Sequence, residues 1–180
     1  QSATQTPMTA PLSDYSQYDY KTEFWVKQNR QYEHLCESTI VQKSLQKLPA
    51  PVPTFLDAGC GFGRLFPAYS PFSTKQILVD YAKNLLEQAE KAIPQETVQY
   101  IQSDITKMPL ETASVDMAMS MRVLHHIKTP EDLFSEIHRV LKPNGYFLID
   151  VPNKRHILNL IRGTFTLNLS TYTSPHPLEL

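Results

Sequence analysis

The sequence predicts an α/β protein with a doubly wound, mostly parallel sheet of at least five strands and helices on both faces. Three observations support this prediction. Apolar stretches of strand length alternate with amphipathic stretches of helix length along most of the chain. Three of the five glycines are concentrated between Gly59 and Gly63, directly after an apolar stretch. Acidic side chains follow several strand-like stretches, at the ends where such sheets bind ligands.

The composition of the chain is typical of a globular protein. Its 180 residues are enough for one domain with a hydrophobic core, and 41% of them are hydrophobic and 19% charged. The formal net charge of −1 attracts neither nucleic acid nor an anionic membrane. No apolar run is long enough to span a bilayer, and no leader has the pattern of a signal peptide. We therefore expect a cytoplasmic protein with no nucleic-acid partner.

The chain before the glycines is predicted to hold an arm and a helical cap. It begins with Gln1 rather than Met, so we expect the native start to be missing or processed. Residues 1–20 are polar and lack apolar periodicity, which predicts a flexible arm. Apolar residues then recur at three- and four-residue steps and predict an amphipathic helix from Phe24 to Leu48, with a break near Asn29. Three nearby prolines end this helix, so that residues 21–53 form a cap and a linker.

The ligand-binding core is predicted over residues 54–163. Strands are expected at 54–58, 76–80, 97–102, 114–121 and 146–151, and helices at 64–69, 83–92 and 130–141. Thr129 is the expected N-cap of the last helix, and Pro130 suits its first position. A turn over residues 142–145 is expected to end that helix.

The glycines and the strand-end acids predict a ligand with a ribose, a base and a positive charge. Glycine permits the positive φ and the close ligand approach that a strand-to-helix turn requires. Asp57, Asp80 and Asp104, together with Ser120, are expected at one edge of the sheet. Asp80 suits a ribose diol, and Asp104 suits an exocyclic amino group. A pyrophosphate beside Asp57 would be repelled, which argues against NAD.

Taken together, these motifs resemble the class I S-adenosylmethionine-dependent methyltransferases of the small-molecule type, which have a Rossmann-like fold. The resemblance covers about residues 18–153, and its motifs lie at 57–63, 79–80, 102–105, 114–127 and 139–145. It implies S-adenosyl-L-methionine as cofactor and in-line methyl transfer to a small-molecule or lipid-like acceptor. Asn144 stands where the family usually has Gly, and Asn tolerates the left-handed conformation.

The resemblance also implies roles for individual residues. Gly59 and Gly61 would approach the methionine part and the ribose, and Asp57 would lie near the cofactor's amino end. Tyr81 and Ile105 would pack on the two sides of the adenine, and the residues after the fourth strand would flank the sulfonium. The cofactor-binding residues implied are Asp57, Ala58, Gly59, Gly61, Asp80, Tyr81, Asp104, Ile105, Met121 and Arg122.

Two histidines are the candidates for catalysis. His125 and His126 follow the fourth strand, near the expected entry of the methyl acceptor. For one of them a buried structural role is favoured, because a titrating histidine needs a positioned partner. From the cap, Trp25 and Arg30 could reach over the cofactor, although a solvated helix face is the favoured interpretation of Arg30.

Neither the cysteines nor the remaining histidines indicate a metal site. Cys36 and Cys60 have no metal-ligand spacing and form no disulfide framework, which favours a reducing compartment. Cys60 is interpreted as a small turn residue rather than a nucleophile, because no base lies near it in sequence. The other four histidines show no ligand spacing.

The pattern fades after Asn153, with a short amphipathic stretch from His156 to Ile161 and an irregular tail over 164–180. The family's sheet normally continues with two closing strands, and no clear pair for them is evident. We therefore expect this chain to bind cofactor but to transfer methyl groups slowly or not at all, with a partner or a second copy covering the fifth-strand edge. Two alternatives remain open, a non-catalytic cofactor-binding module acting through a partner and a nicotinamide-dependent oxidoreductase.

Overall fold

Five parallel strands form the sheet in the computed structural model, which describes residues 21–48, 51–94 and 96–151. The strands are β1 (Val52–Ala58), β2 (Ser73–Asp80), β3 (Val98–Gln102), β4 (Val115–Ser120) and β5 (Leu141–Ile149). Their order in the sheet is β3-β2-β1-β4-β5. The chain winds outward in one direction from β1 to β3 and in the other from β4 to β5, which confirms the predicted doubly wound fold.

Helices cover both faces of this sheet. They are α1 (Gln31–Leu45), α2 (Phe66–Tyr69), α3 (Lys83–Ala92) and α4 (Pro130–Val140). A π-helical segment, Lys21–Val26, precedes α1, and short 3-10 turns lie at Ser70–Phe72 and Leu124–His126. Buried side chains of α1, α2 and α3 share one hydrophobic cluster with the sheet, whereas those of α4 belong to the cluster on the opposite face.

Alternation of side chains along β1 divides the core into these two layers. Phe55 belongs to the layer under α1, α2 and α3, and Leu56 belongs to the layer under α4. Phe55 stacks on Tyr69 of α2 with ring centroids 4.4 Å apart, and both rings are fully buried. Because β1 is central in the sheet and buried on both faces, the turn that follows it has a rigid base.

The predicted long N-terminal helix is two elements, with the break near Asn29 confirmed. Asn29 has a φ of 51° and separates the π-helical segment from α1. Within α1 the prediction of one buried apolar stripe is wrong, since Tyr32, Leu35 and Ile40 are 76%, 63% and 55% exposed. Only Val41 and Leu45 of α1 are buried. The first half of α1 instead turns a polar face, with Glu37, toward the glycine turn.

The predicted turn at 142–145 is wrong, because these residues lie within β5. Val115 pairs with Leu141 and Met117 pairs with Tyr146, so the intervening residues of β5 form a bulge. Asn144 has a φ of 65°, as expected for a left-handed residue. An added Cβ at Gly145 would come within 2.9 Å of the Lys142 carbonyl oxygen, which explains glycine in the bulge.

Other element boundaries also differ from the predictions. β1 begins at Val52 and includes Pro53, so the linker is shorter than expected. The helix after the glycine turn begins at Phe66 rather than Arg64, because the glycine turn itself continues through Leu65. α4 begins at Pro130 as predicted, but the Thr129 side chain makes no capping hydrogen bond.

Several expectations fall on residues outside the described ranges. They are the arm over residues 1–20, the stretch from His156 to Ile161 and the tail over 164–180. None of the helices in the described ranges has the length and apolarity needed to cross a bilayer.

Candidate cofactor site

A cavity of about 230 Å³ lies at the carboxyl ends of the strands, where the sheet order reverses between β1 and β4. This is the position at which doubly wound sheets bind ligands, because the connections after the two strands leave in opposite directions. The implied cofactor-binding residues and the two candidate catalytic histidines all line this cavity except Ala58 and His125. The sequence prediction therefore identified most of the side chains that the fold brings together here.

Ala58 and His125 are the two predicted residues that do not line the cavity. The Ala58 side chain is fully buried in the core layer under α4, because alternation along β1 points it away from the cavity side. The His125 ring lies beside that of His126, with centroids 3.8 Å apart, while His126 itself lines the cavity. Of the two histidines, His126 is the one in position to meet a ligand.

The glycine turn after β1 needs glycine for two different reasons. Gly59 has a φ of 86°, and an added Cβ would lie 2.4 Å from Val123 Cγ2. The turn and the segment after β4 therefore approach too closely for any side chain. Gly61 has a φ of 55° and faces open space, with no atom within 4 Å of an added Cβ. That space is the cavity, so a ligand can approach the Gly61 backbone directly.

Asp80, the last residue of β2, is held rigidly by the backbone around it. Its Oδ2 accepts a hydrogen bond of 2.7 Å from Gly61 N, and its Oδ1 accepts one of 2.8 Å from Ala82 N. Burial raises the pKa of this carboxyl, and the backbone N–H donors oppose that shift. Each oxygen retains acceptor capacity, so the carboxylate can accept two further bonds from a diol in the cavity.

Asp57 is a buried carboxyl within β1, only 3% exposed, at the floor of the cavity. Burial is the main cause that raises its pKa to about 7, with the Asp80 carboxylate acting in the same direction. The Tyr69 hydroxyl and Arg64 act in the opposite direction. A cationic ligand group beside Asp57 would stabilise its ionised form, whereas an anionic group would be repelled.

The loop after β3 supplies the far side of the cavity. Asp104, Ile105 and Thr106 all line it. Asp104 Oδ1 accepts hydrogen bonds of 2.8 Å from Thr106 N and 2.7 Å from Thr106 Oγ1, which fixes the orientation of the carboxylate. Ile105 is 8% exposed and presents an apolar surface suited to one face of a planar base.

A charged network joins the cap to the cavity, and the sequence analysis did not predict it. Glu37 of α1 pairs with Arg64, which follows the glycine turn, and with Arg122 at 3.3 Å. The Arg64 guanidinium lies 3.8 Å from the centroid of the Trp25 ring. Both arginines and Trp25 line the cavity. The cap is therefore fastened to the glycine turn and to the segment after β4 by one carboxylate.

Two further contacts complete this network. His34 Nδ1 lies 3.0 Å from Arg64 Nη1, and it must be the acceptor because arginine can only donate. Burial, followed by Arg64, lowers the pKa of His34, and Glu37 acts in the opposite direction. Arg122 has a φ of 61° and donates its N–H to Asp150 Oδ1 at 2.7 Å. Strained non-glycine residues of this kind concentrate at binding sites.

Arg30 does not reach the cavity, but its side chain is packed and only 23% exposed rather than solvated as expected, and Cys60 is not activated as a nucleophile. The Arg30 guanidinium packs on the Phe24 ring at 3.8 Å and pairs with Glu33 at 3.4 Å, and it does not line the cavity. Burial raises the pKa of the Cys60 thiol well above its ordinary value, so the residue is not an activated nucleophile. Within the described ranges, no group of three or more acidic, histidine or cysteine side chains could hold a metal ion.

Comparison with known proteins gives a consistent result. Residues 56–149 match the family described as "Methyltransferase domain". A probable S-adenosylmethionine-dependent methyltransferase of Mycolicibacterium smegmatis is 29% identical over 55% of this chain and 38% of its own length. A demethylmenaquinone methyltransferase of Chlamydia caviae is 33% identical over 50% of this chain and 40% of its own length. The chain thus matches less than half the length of either relative.

A solved structure agrees with the sequence relatives. The S-adenosylmethionine-dependent methyltransferase of Mesorhizobium loti superposes with a TM-score of 0.55 at 25% identity, covering 64% of this chain and 53% of that one. The cavity at the β1–β4 switch point, its backbone-held Asp80 and the matched residues 56–149 all agree with that family and its cofactor. The chain therefore belongs to the class I S-adenosylmethionine-dependent methyltransferases.

Proposed function

We propose that this chain binds S-adenosylmethionine in the cavity and transfers its methyl group to a small-molecule or lipid-like acceptor. The observation that carries the proposal is Asp80, whose two oxygens are fixed by Gly61 N and Ala82 N at the mouth of the glycine turn. This arrangement suits a ribose diol that lies against a backbone without a side chain at Gly61.

The remaining groups around the cavity match the other parts of the cofactor. Asp104 and Ile105 would meet the amino edge and one face of the adenine, with Tyr81 on the other face. The ionised form of Asp57 would pair with the cofactor's ammonium group. Burial disfavours ionisation of this carboxyl, and the nearby cation would offset that cost. Arg64 and Arg122 would lie toward the cofactor's carboxylate, with Glu37 between them fixing their positions.

The chemistry requires little from the protein besides alignment. Bound S-adenosylmethionine supplies a methyl carbon that is already activated by its positively charged sulfur. The protein's own part is to place the acceptor in line with the carbon–sulfur bond and to exclude water. His126 lines the cavity and would accept the acceptor's proton as the new bond to the methyl carbon forms. The cap, held through Glu37, would close the site around both molecules.

The acceptor class rests on the relatives and on the lining of the cavity. A relative that matches half of this chain is a demethylmenaquinone methyltransferase, which favours a lipid-like quinol acceptor. Apolar side chains contribute to the cavity wall beside His126, among them Val123 and Ile127. An aromatic acceptor hydroxyl or ring carbon is therefore the substrate we would test first.

The decisive experiment measures S-adenosylhomocysteine formed from S-adenosylmethionine and a panel of reduced quinones and other small hydroxylated acceptors. His126→Gln should lower turnover about 100-fold, the low end of a general-base effect, and should leave the dissociation constant for S-adenosylhomocysteine unchanged. His125→Gln is the matched control, because its ring adjoins that of His126 without lining the cavity. Equal turnover by both variants would exclude His126 as the base.

A non-catalytic cofactor-binding role is the second candidate, and the exposure of residues in and after β5 favours it. Tyr146 and Val151, in and after β5, are 44% and 66% exposed, and β5 is an outermost strand of the described sheet. A partner, or further chain beyond Val151, would cover it. Binding of S-adenosylhomocysteine without turnover on any acceptor, restored by a partner that binds this edge, would support this second role over autonomous catalysis.

A further inference from the structure

The loop between β3 and β4, residues 103–114, is fixed by side chains of another element. It carries three of the residues that line the cavity, Asp104, Ile105 and Thr106. All of its residues are described, and none of them lies in a helix. A loop of this length without secondary structure needs outside contacts to hold one conformation. Backbone bonds hold its two ends, with Ser103 N donating to Asp80 and Ala113 N to Arg139, and the side chains of Glu136 and Arg139 in α4 hold its middle.

Glu136 is a buried carboxylate that binds the loop directly. Its side chain lies under α4, and the residue is only 9% exposed. Its Oε1 accepts a hydrogen bond of 2.6 Å from Met108 N. Arg139 donates to both of its oxygens, with Nε 2.8 Å from Oε2 and Nη2 2.7 Å from Oε1. This bidentate arrangement fixes the orientation of the carboxylate as well as its charge.

Arg139 binds the same loop through two carbonyl groups. Its Nη1 donates to the Leu110 carbonyl oxygen at 2.7 Å, and its Nη2 donates to that of Met108 at 3.1 Å. Met108 is 4% exposed, so its backbone groups have little access to water. Losing either side chain would leave buried backbone groups without partners, which is costly. The pair therefore sets the path of the loop near Met108.

The path of the loop at Met108 is connected to Asp104 by short internal bonds. Lys107 N donates to the Asp104 carbonyl oxygen at 3.0 Å, and Ser103 Oγ lies 3.3 Å from the Lys107 carbonyl oxygen. Because Lys107 is hydrogen-bonded to Asp104 and Ser103, a displacement of the backbone at Met108 would also move Asp104. At the other end of α4, Asp132 lines the same cavity, so this helix braces two parts of its wall.

We propose that Glu136 and Arg139 are positioning residues for base recognition, holding the 103–114 loop so that Asp104 meets the amino group of the bound base. The proposal rests on the proposed function, since it takes S-adenosylmethionine as the ligand. It goes further in assigning selectivity for the base to two side chains that do not line the cavity.

Ligand affinities of variants in the Glu136–Arg139 pair distinguish a structural role from a positioning role. Breaking a structural pair would lower stability and weaken all ligands by a similar factor. Breaking a positioning pair would weaken ligands with an adenine amino group more than ligands without one, because only they use Asp104 as an acceptor. The informative quantity is therefore the ratio of dissociation constants for S-adenosylhomocysteine and S-inosylhomocysteine, in which a carbonyl oxygen replaces the amino group.

The experiment is titration calorimetry of the full 180-residue chain with both compounds. The wild-type protein should prefer the adenine compound by about tenfold, the value of one well-made hydrogen bond. Arg139→Lys keeps the positive charge and loses the bidentate guanidinium contact. Glu136→Gln keeps one acceptor oxygen and loses the negative charge. Both variants should reduce the preference to about threefold or less, as should Asp104→Asn. Combining Asp104→Asn with Arg139→Lys should reduce it no further.

Lys142→Ala is the matched control, because it breaks another ion pair, with Asp116 at 2.9 Å, away from the cavity. It should lower stability and leave the preference unchanged. Hydrogen exchange at the Met108 amide should be faster in the Glu136→Gln and Arg139→Lys proteins, reporting the loosened loop in either variant that folds. Faster exchange with a wild-type preference for adenine would overturn the proposal.

The failure of the proposed function would look different. A wild-type protein that binds neither compound would contradict cofactor binding itself, and with it this inference. Binding of both compounds with equal affinity would leave cofactor binding intact and would overturn the role of Asp104 together with that of its positioning residues.

Discussion

Aspartates at the amino ends of the strands are held differently from aspartates at the carboxyl ends. These two sides of the sheet are called the amino edge and the carboxyl edge. At the amino edge, Asp116 receives Lys142 Nζ at 2.9 Å on both oxygens and Thr54 N at 3.0 Å. At the carboxyl edge, Asp80 receives backbone N–H groups from Gly61 and Ala82, and no lysine or arginine of the described ranges forms an ion pair with it. The protein thus neutralises the first carboxylate itself and leaves the second to be completed by a ligand.

Asp116 is therefore a structural acid and Asp80 a binding acid, although the first lies near the start and the second at the end of strands in one sheet. The carboxyl edge also has a non-glycine residue with a left-handed backbone beside the cavity, Arg122, whose φ is 61°. Backbone strain at Arg122 and the buried carboxylate of Asp80, which forms no ion pair within the described ranges, are both costs that a bound ligand can offset. Substitutions at the carboxyl edge should therefore change binding more than stability, and substitutions at the amino edge should do the reverse.

The largest expected effect is at the ribose acid. Asp80→Asn places an NH₂ group opposite one of the two backbone N–H donors, from Gly61 or Ala82, and weakens the acceptor for the diol. Weakened hydrogen bonds at about 1–3 kcal/mol each predict at least a tenfold loss of affinity for S-adenosylhomocysteine. Calorimetry measures the affinity, and circular dichroism confirms folding. An unchanged dissociation constant in the folded variant would exclude Asp80 from the site.

The cap should contribute less than the ribose acid. Glu37→Gln removes the charge shared by Arg64 and Arg122, whose side chains are 12% and 26% exposed, and leaves the two cations facing each other. We expect a stability loss of about 1–3 kcal/mol, since the pairs are only partly buried, and about tenfold weaker cofactor binding. Glu33→Gln, which affects an exposed pair with Arg30 on the same helix, is the control. Equal effects of the two variants would show that the cap acts through general stability.

Binding should depend on pH through Asp57. Its pKa of about 7 in the folded protein lies above the unfolded value of 3.8, so its contribution to stability is present below pH 3.8 and lost as the pH rises through 7. A ligand ammonium group favours the ionised form. Affinity for S-adenosylhomocysteine should therefore fall by up to about tenfold per unit as the pH drops below 7, with proton release on binding.

Calorimetry in buffers of different ionisation enthalpy measures that proton release. Asp57→Asn should abolish the pH dependence between pH 5 and 7 and bind more weakly above pH 7. The ligand-free variant should be at least as stable as the wild-type protein at pH 8, because a buried charge has been removed. Persistence of the same pH dependence in Asp57→Asn would assign the titration to another group.

The smallest expected effect on binding is at the amino edge. Asp116→Asn weakens the contact with Lys142, whose side chain is 40% exposed, so a stability loss of about 1 kcal/mol is expected. Affinity for S-adenosylhomocysteine should change by less than about twofold, because Asp116 does not line the cavity. A large loss of affinity in this variant, measured beside Asp80→Asn, would remove the distinction between the two edges.

The carboxyl edge could be predicted from the sequence because its signals are local. The glycines, Asp80 and Asp104 follow strands whose apolar patterns are short and clear. The Ala58 side chain does not line the cavity, since neighbouring residues of a strand point to opposite faces and the motif does not say which one faces the ligand. The pattern Pro-Asn-Gly predicts a turn, although it fits the bulge in β5 equally well.

The cap network and the α4 brace could not be predicted in the same way. Glu37 meets Arg122 across 85 residues of sequence, and Glu136 meets the Met108 amide across 28. Glutamates on an amphipathic helix are usually solvated, so nothing in the local pattern distinguishes these two. The structure shows the difference only in α1 as a whole, where the apolar residues Tyr32 and Leu35 are exposed and Glu37 faces Arg64.

The most direct test of the account is calorimetric titration of the wild-type chain with S-adenosylhomocysteine and, separately, with NAD. The carboxylates at the carboxyl edge predict one site for S-adenosylhomocysteine, with an affinity that Asp80→Asn weakens at least tenfold, and no binding of NAD, whose pyrophosphate would face Asp57. Binding of NAD with no response to S-adenosylhomocysteine would contradict the assignment of this cavity.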